Sequence, residues 1–159
     1  MESDLLTLVI PVYKNEGSIS DLLRLITIMK LQLSMDLEVI FVIDGSPDRC
    51  YELLAAALKK QSFKSKLILL SRNFGSFMAI RTGLAHGTGS YFAVMAADLQ
   101  EPPELVIEIS KILFCEPIDV VIGVRQGRID PLITRISSRL FWGFYRRFVV
   151  KYHEKETKV

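Results

Sequence analysis

The chain has 159 residues, half of them hydrophobic, with 20 basic against 18 acidic side chains and a net charge of +2. That length fits one domain able to bury roughly 70% of its unfolded surface, and so balanced a charge excludes a general nucleic-acid binder. The two cysteines, Cys50 and Cys115, lack metal-ligand spacing and read as inert, half-buried thiols of a reducing compartment.

The opening Met1-Glu2-Ser3-Asp4 carries neither a basic segment nor a cleavage site, so no secretory signal is expected. Residues 5–12 read as a strand. Ser18 is the expected N-cap of a first helix, whose Ile19, Leu22, Leu23, Ile26 and Leu33 recur at helical spacing. Residues 37–43 form the second strand, and Ser46-Pro47 opens a second helix with Leu53, Leu54, Ala57 and Leu58 on its apolar face. A third strand over 66–70 precedes a helix from about Gly75 to Ala85 that ends near Gly87 and Gly89. The short apolar run 91–97 is a buried strand, Pro102-Pro103 starts a helix to about Phe114, and 119–124 is a fifth strand. Strands alternating with helices of this length predict right-handed βαβ units. The expected fold is an α/β, Rossmann-like three-layer sandwich with a mainly parallel sheet.

The remainder differs in character. Arg125, Arg128, Arg135, Arg139, Arg146, Arg147 and Lys151 face one acid, Asp130, with Phe141, Trp142, Phe144, Tyr145 and Phe148 between them. Ile133, Ile136, Leu140 and Phe144 make one stripe, which predicts a C-terminal amphipathic helix over 131–151 that meets a membrane surface. Domain boundaries are accordingly expected at 1–130, 131–151 and a charged tail, 152–159. No apolar run approaches the ~18 residues that span a bilayer, so a peripheral position at the cytoplasmic face is expected.

Three loops leave strand carboxyl ends with polar residues: Pro11 to Glu16, Asp44 to Asp48, and Asp98 to Glu101. In a parallel sheet they open on one edge, where ligands bind. Each has a plain structural reading as a cap or turn. Together they gather carboxylates that repel unless a cation or ligand uses them.

The segments LVIPVYKNEGSI, VIFVIDGSPD, LSRNFG, AADLQEPPEL and VVIGVR resemble, in order and spacing, family 2 glycosyltransferases of the GT-A fold. The closest likeness is to the branch that moves a sugar from a nucleotide onto polyprenyl phosphate. The resemblance implies an inverting transferase with a UDP- or GDP-sugar donor, a lipid-phosphate acceptor and Mg²⁺ or Mn²⁺. It implies nucleotide binding by Pro11, Tyr13, Asn15 and Glu16, by Asp44, and by Arg72, Asn73 and Gly75. It makes Asp98 and Gln100 the catalytic, metal-holding pair and sets Arg125, Arg135 and Ser138 on the acceptor phosphate. Many members have two acids where this chain has Ile43-Asp44, and an Asp-x-Asp where it has Ala96-Ala97-Asp98. Relatives also continue past the amphipathic helix, so the expectation is either a C-terminally truncated or split-gene product, or a homo-oligomer or membrane partner subunit that completes the acceptor side. The alternative is a nucleotide-sugar-binding remnant without turnover. A dehydrogenase-like domain is disfavoured because no G-x-G-x-x-G follows the first strand.

The chemistry of the residues agrees with that implication. Breaking a sugar–phosphate bond releases a nucleoside diphosphate through an oxocarbenium-like state, whose leaving charge a divalent cation neutralises. A phosphate monoester nucleophile, with a second pKa of about 6, is already ionised at neutral pH and needs no strong base. His86, expected at a helix end, and His153, in the tail, are given no catalytic role.

Overall fold

The structure, a computed structural model, describes residues 4–100 and 102–123. Strands β1 (Leu5–Val12), β2 (Asp36–Ile43), β3 (Lys64–Leu69) and β4 (Tyr91–Val94) form a parallel sheet in the order β3-β2-β1-β4. Helices α1 (Ile19–Gln32), α2 (Cys50–Ala57), α3 (Ser76–His86) and α4 (Pro103–Cys115) connect and follow them.

Period-two alternation divides the strand residues between the two faces. Leu6, Leu8 and Ile10 of β1, with Val39, Phe41 and Ile43 of β2, join Ile19, Leu22 and Ile26 of α1, Leu54 of α2 and Val106 and Ile107 of α4 in one core. Ile40 and Val42 face the other way and meet Ala79 of α3. The helices thus lie on both faces, giving the three expected layers. α3 sits close enough that a Cβ on Gly83 would overlap Val9 Cγ1, so this mid-helix glycine sets the helix–sheet approach.

Glu38, which no sequence pattern singled out, is fully buried in β2. It accepts from the Thr7 hydroxyl at 3.0 Å and from the Thr88 N–H at 2.9 Å, and it pairs with Lys66 at 3.0 Å and Lys64 at 3.3 Å. Burial pushes its pKa up, but the Thr88 amide, Lys66, Thr7 and Lys64 outweigh that and hold it at about 2.

Five expectations change. The run 119–123 pairs with no strand among the described residues, and Val120 and Ile122 are left 72% and 77% exposed, because an apolar run becomes a strand only where an edge and a covering layer receive it. β4 stops at Val94 rather than at residue 97, since Met95 N–H makes the last bond to Val9 and the chain then turns. α2 begins at Cys50, not at Ser46-Pro47, because Ser46 and Asp48 are engaged with another loop. Ser18 occupies the N-cap position of α1 but makes no capping bond; its hydroxyl donates to the carbonyls of Ala97 at 2.9 Å and Asn15 at 3.1 Å. Of the thiols, Cys50 is buried and Cys115 is exposed rather than half-buried. The amphipathic helix expected over 131–151 lies outside the described residues.

Candidate functional site

β1 and β2 continue upward together while the β1–β4 ladder ends at Val9 and Val94. The Val9 carbonyl accepts from Met95, on the β4 side, and the Val12 carbonyl accepts from Asp44, on the β2 side. By alternation, Pro11 turns its missing N–H toward β4 beyond the end of that ladder, which is where a central strand tolerates proline. The strand order also reverses direction between β1 and β4, so the gap that opens there is the switch-point crevice of the sheet.

A cleft of about 340 Å³ fills that gap. Pro11, Tyr13 and Asn15 line it from the first loop, Asp44 from the second, Asn73, Gly75 and Ser76 from the third, and Ala96, Ala97 and Asp98 from the fourth. Four loops distant in sequence therefore meet, as the reading of three polar loops anticipated, with the β3–α3 loop added.

Each loop is fixed by bonds to another. Asp44, 3% exposed, accepts the backbone N–H of Phe74 at 2.8 Å and of Gly75 at 2.9 Å, one on each carboxylate oxygen. The carboxylate reaches those amides because Gly45 lies against the backbone of Arg72 and Asn73. With φ +58° and no room for a Cβ beside the Arg72 carbonyl carbon, only glycine fits. The first two loops are joined by Ser46, which accepts from Lys14 N–H at 2.7 Å and donates to Asp48 at 2.6 Å, and by Asp48, which accepts from Glu16 N–H at 3.1 Å. Burial raises the Asp48 pKa, but bonds from Cys50, Ser46 and Glu16 bring it below its ordinary value. The same burial, with Asp48 beside it, pushes the Cys50 thiol up to about 11, which keeps it a thiol.

Strain is concentrated here. Among the described non-glycine residues, positive φ occurs at Lys14 (57°) and Leu99 (60°), and both belong to cleft loops. The turn at Leu99 brings Gln100 N–H to 3.2 Å from an Asp98 oxygen. The other Asp98 oxygen has no protein partner among the described residues, and Asp98 is exposed.

Not every expected residue faces the cleft. Glu16 turns to Arg49, taking its Nε at 2.9 Å and Nη2 at 2.6 Å, and that guanidinium holds the carboxyl below the usual carboxylate range. Arg72 is exposed with its guanidinium 4.8 Å from the Phe74 ring, and Gln100 is exposed; neither lines the cleft. Arg125, Arg135 and Ser138 lie outside the described residues.

Sequence reasoning passed over Ser46 and Asp48 as cross-loop ties, although the Ser-x-Asp spacing after Asp44-Gly45 carried the signal. It also passed over the N-terminus of α3. Gly75 opens that helix without a side-chain cap, and the amides of Ser76 and Phe77 have no partner among the described residues, so the positive end of the helix meets the cleft.

Residues 7–158 match the profile of glycosyl transferase family 2. The chain belongs to that family. Undecaprenyl-phosphate 4-deoxy-4-formamido-L-arabinose transferase of Pseudomonas aeruginosa (strain LESB58) is a family 2 relative, 38% identical over 139 residues, covering 86% of this chain and 40% of the relative. The protein of the same name from Sodalis glossinidius (strain morsitans) is 34% identical over 147 residues, 92% of this chain and 45% of that one. The chain thus spans between 40% and 45% of the length of these curated relatives.

The fold recurs in solved structures. Mannosyltransferase PcManGT from Pyrobaculum calidifontis, in complex with GDP-Man and Mn²⁺, superposes with a TM-score of 0.61 at 22% identity over 74% of this chain and 34% of that one. S. aureus TarS 1-349 in complex with UDP-GlcNAc gives 0.56 at 18% identity, over 69% of this chain and 31% of TarS. The fold is therefore the GT-A-like α/β sandwich of family 2, as the motifs implied.

Proposed function

We propose that this chain is the donor-binding part of an inverting glycosyltransferase that moves a sugar from a UDP- or GDP-sugar to a polyprenyl phosphate. The observation that carries this reading is the convergence of four loops on one crevice, with a partly unpaired carboxylate, Asp98, and the positive end of α3 on its wall. It is supported by relatives named for an undecaprenyl-phosphate substrate and by fold neighbours bound to UDP-GlcNAc and GDP-Man.

In this reading Pro11, Tyr13 and Asn15 receive the nucleoside, Asp44 acts by holding Phe74 and Gly75, and Asn73 and Gly75 close on the nucleotide. The Ser76 and Phe77 amides face the diphosphate, as helix N-termini do for anions. Glu16 and Arg72 serve at the margin, Glu16 through Arg49 by fixing the first loop.

The residues present fit a divalent cation of the Mg²⁺ or Mn²⁺ kind. Asp98 and Gln100 offer hard oxygen donors, Asp98 keeps an oxygen without a protein partner, and such cations accept one carboxylate when substrate phosphates complete the shell. No cluster of three His, Cys, Asp or Glu exists among the described residues, so the diphosphate would supply most of that shell. The cation's contribution, when bound, is to neutralise charge on the leaving diphosphate. The acceptor phosphate oxygen bonds to the anomeric carbon as the bond to the donor diphosphate breaks on the opposite face, and the leaving oxygen keeps the electron pair. Arg125, Arg135 and Ser138 are assigned to the acceptor phosphate. Residues 131–151 are assigned to the inner membrane face, within assembly of cell-envelope polysaccharide, and residues 1–130 to the donor core. A second copy or a membrane subunit is assigned to the acceptor side.

Calorimetric titration with UDP, GDP and UDP-glucose, with and without Mn²⁺, repeated on Asp98→Ala, tests the donor site. Metal-dependent binding lost in the variant is expected. Absence of binding to any nucleotide by folded protein overturns the reading in favour of a non-catalytic remnant.

A further inference from the structure

The tip of α3 has an unusual surface. Phe77 is 87% exposed, and its chain neighbours Phe74 and Met78 are 42% and 44% exposed. These side chains leave the same loop and helix that line the cleft through Gly75 and Ser76. None contributes to either core.

The surrounding charge has one sign. Between Glu52 and Asp98 the chain carries Lys59, Lys60, Lys64, Lys66, Arg72 and Arg81 and no acid. Lys64 and Lys66 are engaged by Glu38. Arg72, stacked on Phe74, and Arg81, one turn along from Phe77, have no acidic partner among the described residues. A protruding aromatic with a thioether and two arginines beside it suits a headgroup layer, where rings sit at the acyl boundary and guanidinium groups meet lipid phosphates.

We propose that Phe74, Phe77 and Met78, with Arg72 and Arg81, form a bilayer-contacting surface for anionic lipid, separate from the C-terminal segment. It would hold the donor crevice at the membrane surface. Its purpose rests on the lipid-phosphate reading above, but the contact is read directly on the bilayer.

The test uses the full 159-residue chain with Cys115→Ser, since Cys50 is buried. Phe77→Cys is labelled with an environment-sensitive nitrobenzoxadiazole dye, and Leu31→Cys, on α1 and 82% exposed in the native chain, is the control. Vesicles of phosphatidylcholine alone are compared with vesicles containing phosphatidylglycerol. A blue shift confined to the label at 77 and to anionic vesicles is expected, and Arg81→Glu should weaken vesicle binding at least about fivefold, the value of one basic residue near such a surface. No shift at 77, whether or not the chain sediments with vesicles, overturns the proposal, as does an equal shift at 31. Nucleotide titration of unlabelled Arg81→Glu, a residue that does not line the cleft, separates the two readings: donor binding should survive when vesicle contact is lost.

Discussion

Asp44→Asn separates two meanings of the acid at the end of β2. In the structure its two oxygens each accept one backbone N–H, from Phe74 at 2.8 Å and Gly75 at 2.9 Å, in a nearly buried setting. Asparagine keeps the shape but offers one acceptor oxygen, and its amide turns N–H groups toward the second donor. One charge-assisted bond becomes neutral and one amide loses its partner. With hydrogen bonds to charged groups worth about 1.5–3 kcal/mol and a stranded buried donor costing about 1–3 kcal/mol, the variant should lose about 2–4 kcal/mol. Urea unfolding followed by circular dichroism measures this as a lowered midpoint with unchanged slope. Nucleotide affinity should fall in parallel, because Asn73, Gly75 and Ser76 form the cleft wall that Asp44 anchors. An unchanged midpoint with lost nucleotide binding would refute the anchoring argument and return Asp44 to direct contact with the ligand.

Gly45→Ala should prevent folding or unfold at much lower urea, since it combines φ +58° with overlap against the Arg72 backbone. Gly83→Ala should cost about 1–3 kcal/mol by overpacking against Val9, with Val9→Ala restoring part of it in the double variant. Glu38 has a folded pKa of about 2 against an ordinary 4.5, so its stabilisation is complete above pH 4.5 and is lost as pH falls from there toward 2. That difference is worth about 3 kcal/mol, and Glu38→Gln should flatten the urea midpoint over this window. Arg49→Ala should return the Glu16 carboxyl toward its ordinary pKa, read by carbon-13 titration, and weaken nucleotide binding only through the first loop.

Hydrophobic period made the fold legible. The short apolar runs 5–12 and 37–43 and the helical recurrence from Ile19 to Leu33 each corresponded to an element within a residue or two, because burial on one or two faces writes itself into the pattern. The same logic misled at 119–123, where the conformation of an apolar run is set by partners the pattern does not contain. Glu38 was invisible for a related reason. A charge within a strand pattern reads as a solvent-facing position, and only the sheet brings Thr7, Lys64, Lys66 and Thr88 around it.

The cleft was legible as a place and less so as a set of roles. The alternation of strands and helices together with loop polarity sufficed to gather Pro11, Tyr13, Asn15, Asp44 and Asp98, since a parallel sheet leaves polar carboxyl-end loops no other edge. A carboxylate's role depends on which donors reach it, and those come from elsewhere in the chain: Phe74 and Gly75 for Asp44, Arg49 for Glu16. The four described acids of these loops thus divide into an anchor, Asp44, two braces, Glu16 and Asp48, and one exposed group, Asp98. The oxygens of Asp44 and Glu16 are already engaged by protein donors. Asp98, with one oxygen lacking a protein partner among the described residues, is the carboxylate best able to meet an incoming cation. With Ala96 in place of a second acid, that task falls to a single carboxylate, with the Gln100 amide oxygen beside it in sequence. Metal affinity in this chain should therefore depend on bound diphosphate, and Mn²⁺ titrated without nucleotide should bind far more weakly than with it.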